Sequence, residues 1–361
     1  MRLALLLPLL AALAALGHTR GEIIPAPAMR TARMAHTATT LRDGRVLVAG
    51  GFAGESHAAV SAELYDPVTN RFLALPRMLA PRHSHTATLL PDGRVLLAGG
   101  YAADGAVASA ELFDPATRRF LPVRAMHAAR AGHVAVPLES GKVLLVGGVG
   151  PDWTFLSSAE LYDPATGRFT TTGSMSVARE SHAAVRLLDG RVLIIGGHRG
   201  RRADITLYAS AEAYDPRSGI FSSVGGMRNR RHKHDAVLLQ DGRVLVMGGS
   251  DERDNRGMYR STELFDPRTN AFSEGPEMQR ERYKHVGSAV VLPNGQVLLA
   301  GGAAEAELFT PGTNRFSLVA GAVPVAGLFS AVALIGTTDV LITGGYGHDR
   351  GPQAAAWRYR P

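Results

Sequence analysis

A pair of glycines closes an apolar stretch seven times along this 361-residue chain, beginning at Gly50, Gly99, Gly147, Gly196, Gly248, Gly301 and Gly344. Successive pairs stand 49, 48, 49, 52, 53 and 43 residues apart. A period this regular means one supersecondary unit copied many times, each copy burying its apolar face against the next. Length alone would suggest two or three domains. The repetition makes residues 18–361 one.

Each copy holds four extended pieces. The first starts at a histidine, as in HTATLL (85–90), and ends at a turn pair such as Asp92-Gly93 or Asn294-Gly295, which favours a tight hairpin. The second is a short aliphatic run such as RVLLAGG (94–100), suited to a strand buried on both faces. The third reads AELYDP (62–67, 159–164) or a close variant. A turn then leads to Phe72, Phe120, Phe169, Phe221, Phe272 or Phe316, each seven residues beyond the aromatic of the third piece. Four antiparallel strands joined by short turns make one blade of a propeller. The seventh copy stops after its third piece, AAAWRYRP (354–361), while EIIPAPAM (22–29) precedes the first histidine unit. Aligning Met29 with Met175 puts Ile23 where Phe169 stands. The reading is therefore all-β: a seven-bladed propeller of four-stranded antiparallel blades, its last blade closed by the N-terminal strand.

The double glycine, the Tyr-Asp-Pro unit, the aromatic seven residues on and the following Met-x-x-x-Arg resemble kelch repeats over nearly the whole mature chain. Phenylalanine replaces the tryptophan common at the final aromatic position, a change of size in the packing. The resemblance speaks for the fold and little for activity, since function sits in sites grafted on such scaffolds.

Residues 1–17 have the anatomy of a secretory signal peptide: Arg2, followed by an apolar run of 15 residues (3–17) that ends in Ala15-Leu16-Gly17. The run is short for a bilayer, and Pro8 interrupts it. A secreted or periplasmic protein with no transmembrane segment after cleavage is expected. There is no cysteine, so disulfides, a thiol nucleophile and a lipidated cysteine are excluded. The net charge of +7 suits an acidic partner. With export and no nucleic-acid module, nucleic acid is not expected; an anionic small molecule, an acidic glycan or a protein partner is.

Alternating strands put the Asp-Gly hairpins and Asp-Pro turns on one face. The variable loops after each Gly-Gly and the blade-to-blade connections lie on the other, where binding loops are expected. Two loops are rich in charge, 198–208 with Arg199, Arg201 and Arg202, and 250–260 with Arg253; Trp153 in the third copy offers a stacking surface. The connections repeat Arg-x-x-His six times, at Arg33, Arg82, Arg130, Arg179, Arg231 and Arg282. Their guanidinium groups would ring one mouth of the channel and suit carboxylate, sulfate or phosphate. The competing reading pairs these arginines with Glu63, Glu111, Glu160, Glu212, Glu263 and Glu307 of the third pieces, and has the histidines satisfy backbone groups between blades. Symmetry breaks in copies four to six, which add Arg228, Arg230, His232, Lys233, Arg280 and Lys284.

Among enzymes, the resemblance extends to copper-radical oxidases like galactose oxidase, whose cofactor links a cysteine to a tyrosine; this chain lacks the cysteine. The sialidase Asp box is absent. Exported sialic-acid mutarotases are kelch propellers with acid–base groups at the mouth, but they have six blades where seven are counted here. Glu180, His182, His232 and Glu281 are of the right type for such work. The acidic residues in 250–255 match no calcium loop, and no cofactor or metal is expected. The leading reading is a non-catalytic binding propeller; the rival is a carbohydrate-modifying enzyme of mutarotase type.

Overall fold

The computed structural model describes residues 21–54, 57–201, 204–252, 257–323, 327–347 and 351–361. The expected leader at 1–17 and the candidates Arg202 and Arg253 lie outside the described residues.

Seven four-stranded antiparallel sheets surround an axis, with two additional two-stranded ribbons in the loops. Blade 1 runs from the axis outward through Thr37–Thr40, Val46–Ala49, Ala62–Asp66 and Arg71–Ala74. Blades 2 to 6 repeat that order. Blade 7 takes Ala331–Ile335, Asp339–Thr343 and Ala356–Arg360 from the C-terminal end and Glu22–Ala26 from the N-terminal end. Ile23 faces Tyr359 across that seam in the register in which Phe169 faces Tyr162. The ring is thus closed by strand pairing, as the repeat count requires.

The core is divided among the blade interfaces. Leu47, Ala49 and Leu64 of blade 1 pack with Val95, Leu97 and Phe113 of blade 2, and the pattern recurs around the ring. Within a blade, the aromatic of the third strand rests on the phenylalanine of the fourth with ring centroids 4.8–5.1 Å apart. Phenylalanine therefore fills the outer position without a cavity-sized rearrangement.

The double glycine has two separate causes. A Cβ on Gly50 would stand 2.7 Å from the ring of His85 in the next blade, and one on Gly51 2.7 Å from Cβ of His36 in its own. Both residues also have positive φ, 63° and 100°, where glycine has no steric cost. The Gly-Gly pair is thus the socket into which successive blades dock. The ribbons Tyr101–Ala102 with Gly105–Ala106 and His198–Arg199 with Thr206–Leu207 extend the loops of blades 2 and 4, and carry no signal in the repeat pattern.

Candidate functional site

The six repeated arginines do gather around one end of the axis, but they do not face solvent. Arg33, Arg82, Arg130, Arg179, Arg231 and Arg282 are at most 1% exposed. Each is paired at 2.8–3.0 Å with the glutamate of its own blade's third strand. Nη1 also donates to the carbonyl of the blade's first glycine, as Arg33 does to Gly50 at 2.6 Å. The other carboxylate oxygen takes a backbone N–H of the incoming strap, for example Arg30 to Glu63 Oε2 at 2.8 Å. These guanidinium groups clamp the connection to the blade. Contrary to the expectation, they are not ligand contacts, because desolvated donors already paired with a carboxylate have nothing to offer an anion.

The histidines of the same unit are also structural. His36, His85 and His133 meet hydroxyls of Thr343, Thr37 and Thr86 on the preceding blade at 2.8–3.1 Å. Side-chain hydroxyls bridge these three pairs of blades, while His182 and His285 face backbone groups of the preceding blade at Val146 and Met247, as expected. Burial holds all six rings neutral, with His182 and His285 lowered to about 3.

What remains at the mouth is the residue just before each histidine, Ala35, Ser84, Gly132, Ser181, Lys233 and Lys284, with Phe329 in blade 7. All seven have φ between 49° and 60°. Backbone bonds of 2.8–3.4 Å link them in sequence around the axis, from Lys233 through Ser181, Gly132, Ser84, Ala35 and Phe329 to Lys284. Non-glycine residues held in this conformation store strain, a common mark of a site whose geometry is over-determined by its surroundings. Each is half-buried, whereas in blades 1 to 6 the arginine and histidine of the same lead-in are buried.

Six members of this ring, all but Lys284, line a cup of about 280 Å³ together with Glu180, His182 and the upper histidines. The cup continues into an axial channel of about 350 Å³ walled mainly by alanine, valine and threonine. The channel carboxylate, Asp235, is structural. Its Oδ2 accepts the N–H groups of Ser288 and Ala289 at 2.8 and 2.9 Å, where the innermost strand of blade 6 is interrupted. Three positions separate His285 from Ser288, against one between His234 and Asp235; the inserted Val286 and Gly287 leave N–H groups that the carboxylate satisfies. Burial raises Asp235 to about 6 against those bonds.

One residue further back, the positions two before the histidines of blades 1 to 5, and Leu328 in blade 7, pair across short bridges with the residue after the blade's Gly-Gly. His83 and Tyr101 form one such pair, Glu180 and His198 another. Glu180 leans over Gly132, where a Cβ would stand 2.6 Å from Oε1. Burial pushes its carboxyl up to about 7, against the pull of Lys233 and Arg201. His198 Nε2 lies 3.6 Å from Glu180 Oε2, and its Nδ1 is 3.4 Å from Nδ1 of His232. His232 in turn reaches Tyr283, whose hydroxyl is also 3.4 Å from Nζ of Lys233. Lys284 donates to the Tyr346 hydroxyl at 2.7 Å and sits among the rings of Tyr283, Phe329 and Tyr346.

The remaining candidates are more peripheral. Arg199 is exposed on its ribbon. Trp153 is 45% exposed, but the guanidinium of Arg201 stacks on its ring and narrows the face left for a sugar. Glu281 is exposed, and His182 is buried in the blade interface. Arg280 pairs with Glu305 and Arg228 with Glu274, while Lys233 and Lys284 stand in the ring itself. Sequence reasoning noted Glu180 and both lysines without singling them out, and missed His198, Tyr283 and the role of Arg201. The available signal was variation: these are the unrepeated residues within or beside a repeated frame.

A Kelch motif family profile matches residues 130–176 and 181–228, which span blades 3 and 4. No curated protein matches the sequence. Among solved structures, the chain superposes on a fungal alcohol oxidase described as having catalytic diversity among the AA5 family, in complex with copper. The TM-score is 0.72 at 16% identity, over 94% of this chain and 76% of that one. It also superposes on YjhT with a TM-score of 0.63 at 16% identity, over 81% of this chain and 99% of that one. Both likenesses concern the fold. Among the described residues no group of three or more His, Asp or Glu is arranged to hold a metal, and there is no cysteine, so the residues present do not fit the oxidase's copper.

Proposed function

The chain is a kelch-repeat β-propeller, and we propose that it is an exported binding protein whose site is the axial cup, taking a small anionic ligand or the acidic end of a glycan. One observation carries this reading. In a ring of seven equivalent, strained positions, two consecutive members are lysines, Lys233 and Lys284, while the others are Ala35, Ser84, Gly132, Ser181 and Phe329. Lys233 lines the cup and Lys284 stands next to it on the ring, and neighbouring cations at a funnel focus an attractive field on an anion. Arg201 adds to it from the blade 4 loop. The ring of Phe329, which lines the cup, offers an apolar face beside the charges, as sugar and small-molecule pockets do.

The test is calorimetric titration with D-glucuronate, N-acetylneuraminate and acetate, against glucose as the neutral control. Binding of the acids, weakened about tenfold or more in Lys233→Met, supports the reading; equal response to glucose and glucuronate, or none to any acid, removes it.

A second reading, a carbohydrate-modifying enzyme of mutarotase type, draws support from Glu180, a cup-lining carboxyl raised to about 7, where a group both gives and takes a proton. Exchange NMR between sugar anomers decides it: acceleration by the protein, lost in Glu180→Gln, would make the cup catalytic.

A further inference from the structure

The hydrogen-bond polarity of the cup wall can be followed residue by residue from blade 5 to blade 4. His232 Nε2 lies 3.2 Å from the carbonyl of Glu252, which can only accept, so that nitrogen carries the proton. Burial keeps His232 neutral down to about 3, and its Nδ1 is therefore a lone pair. His198 Nδ1, 3.4 Å away, must be the donor, since the opposite tautomer would set two lone pairs face to face. His198 is likewise neutral, and its Nε2 then presents a lone pair to Glu180 Oε2 at 3.6 Å. An ionised carboxylate facing that lone pair across 3.6 Å is repelled, and a neutral carboxyl is not. Backbone and histidine pair thus favour a proton on Glu180, on the side that faces His198.

We propose that the cup takes a carboxylate-bearing ligand together with one proton, held between Glu180 and His198, so that Glu180 meets the ligand as a neutral hydrogen-bond donor. The inference rests on the anion-binding reading above and deepens it. Without the proton, Glu180 would confront an anion with like charge. With it, the carboxyl and the lysine side of the ring both favour a carboxylate. The groups facing Glu180 are His198, Lys233 from the lead-in to blade 5, Arg201 from the blade 4 loop and Tyr101 from the blade 2 ribbon. The two cations favour ionisation; burial opposes them and prevails, which agrees with the proton's placement. An incoming anion offsets those cations and tightens the proton further. His198 and His232 act here as positioning residues.

The linkage has a definite sign. Binding draws a proton from solution wherever free Glu180 is ionised, so affinity is highest below pH 7 and falls about tenfold per pH unit above it. Calorimetry with D-glucuronate on the full chain, from pH 6 to 8.5 in two buffers of different ionisation heat, should show close to one proton taken up per ligand at pH 8. Glu180→Gln, a permanent mimic of the protonated side chain, should abolish the uptake and raise affinity at pH 8.5 toward the wild-type value at pH 6. His232→Asn should weaken the pH dependence while leaving a measurable affinity. A protonated-carboxyl infrared band at pH 6, absent from Glu180→Gln, reads the same proton without any ligand. Glucuronate binding without proton uptake, or an unchanged pH slope in Glu180→Gln, overturns the proton coupling and leaves the anion site standing. Failure of every acid to bind at any pH overturns both.

Discussion

Two kinds of residue alternate where the chain leads into each blade, and they have opposite fates. The arginine and histidine that repeat six times are buried and structural, and each arginine is paired with a glutamate. The two residues between them do not repeat, and one of them, held in a left-handed conformation, opens onto the cup. Repetition in a ring marks what six of the seven lead-ins share: a clamp to the blade's own glutamate and a ring set against the neighbour's glycine. A ligand has no seven-fold symmetry, so its contacts must come from positions the frame leaves variable. The frame fixes the geometry, and the variable pairs supply the chemistry.

The sharpest way to separate the two sets is acid. The six frame histidines are held neutral in the fold but take a proton at about 6.5 once exposed. Their folded pKa is depressed, so the unfolded chain binds more protons and stability is lost as pH falls below about 6.5. Each ring costs about 1 kcal/mol per pH unit, together on the order of 6 kcal/mol between pH 6 and pH 5. Chemical denaturation across that interval measures the loss; a constant midpoint would mean the rings are not buried as described.

Next in size, Arg82→Ala removes what is, among the described residues, the only charged partner of the buried Glu111 carboxylate and should cost about 3–5 kcal/mol by denaturation, whereas Lys233→Met should change stability by less than about 1 kcal/mol. Equal losses would erase the distinction between frame and cup. Glu180→Gln should do the reverse of the arginine variant. The native carboxyl is raised to about 7 from an ordinary 4.5, so the fold loses stability as pH climbs through that window. Removing the charge should therefore stabilise the protein at pH 8 on the order of 3 kcal/mol, and hardly at all near pH 4. The smallest effect is at the ring itself: Ala35→Gly relieves a left-handed alanine and should shift stability by no more than about 1 kcal/mol in either direction, because glycine also loosens the unfolded chain.

The sequence made the blades legible because their demands are backbone demands. Gly50-Gly51, Asp43-Gly44 and the Tyr65–Phe72 spacing each answer a steric need that recurs wherever the unit recurs, and even the seam at Ile23 followed from register. The cup was harder to see. Repetition drew attention to Arg33 and its five equivalents, whose charge is hidden by glutamates some 25 to 33 residues further on. Glu180 and His198 stand 18 positions apart and meet only because the residue two before the histidine bridges the residue after Gly-Gly. Had that bridge been inferred from the blade's register, the pair would have been visible. The loop ribbons and the stacking of Arg201 on Trp153 depend on contacts no repeat encodes.

The most direct test of the cup is a crystal structure of the protein soaked with D-glucuronate. The account predicts the sugar's carboxylate between Lys233 and Glu180 at the top of the axial channel, with all six frame arginines still closed on their glutamates. Glucuronate bound at an arginine released from its glutamate, or on the outer loops with the cup left to solvent, would contradict it.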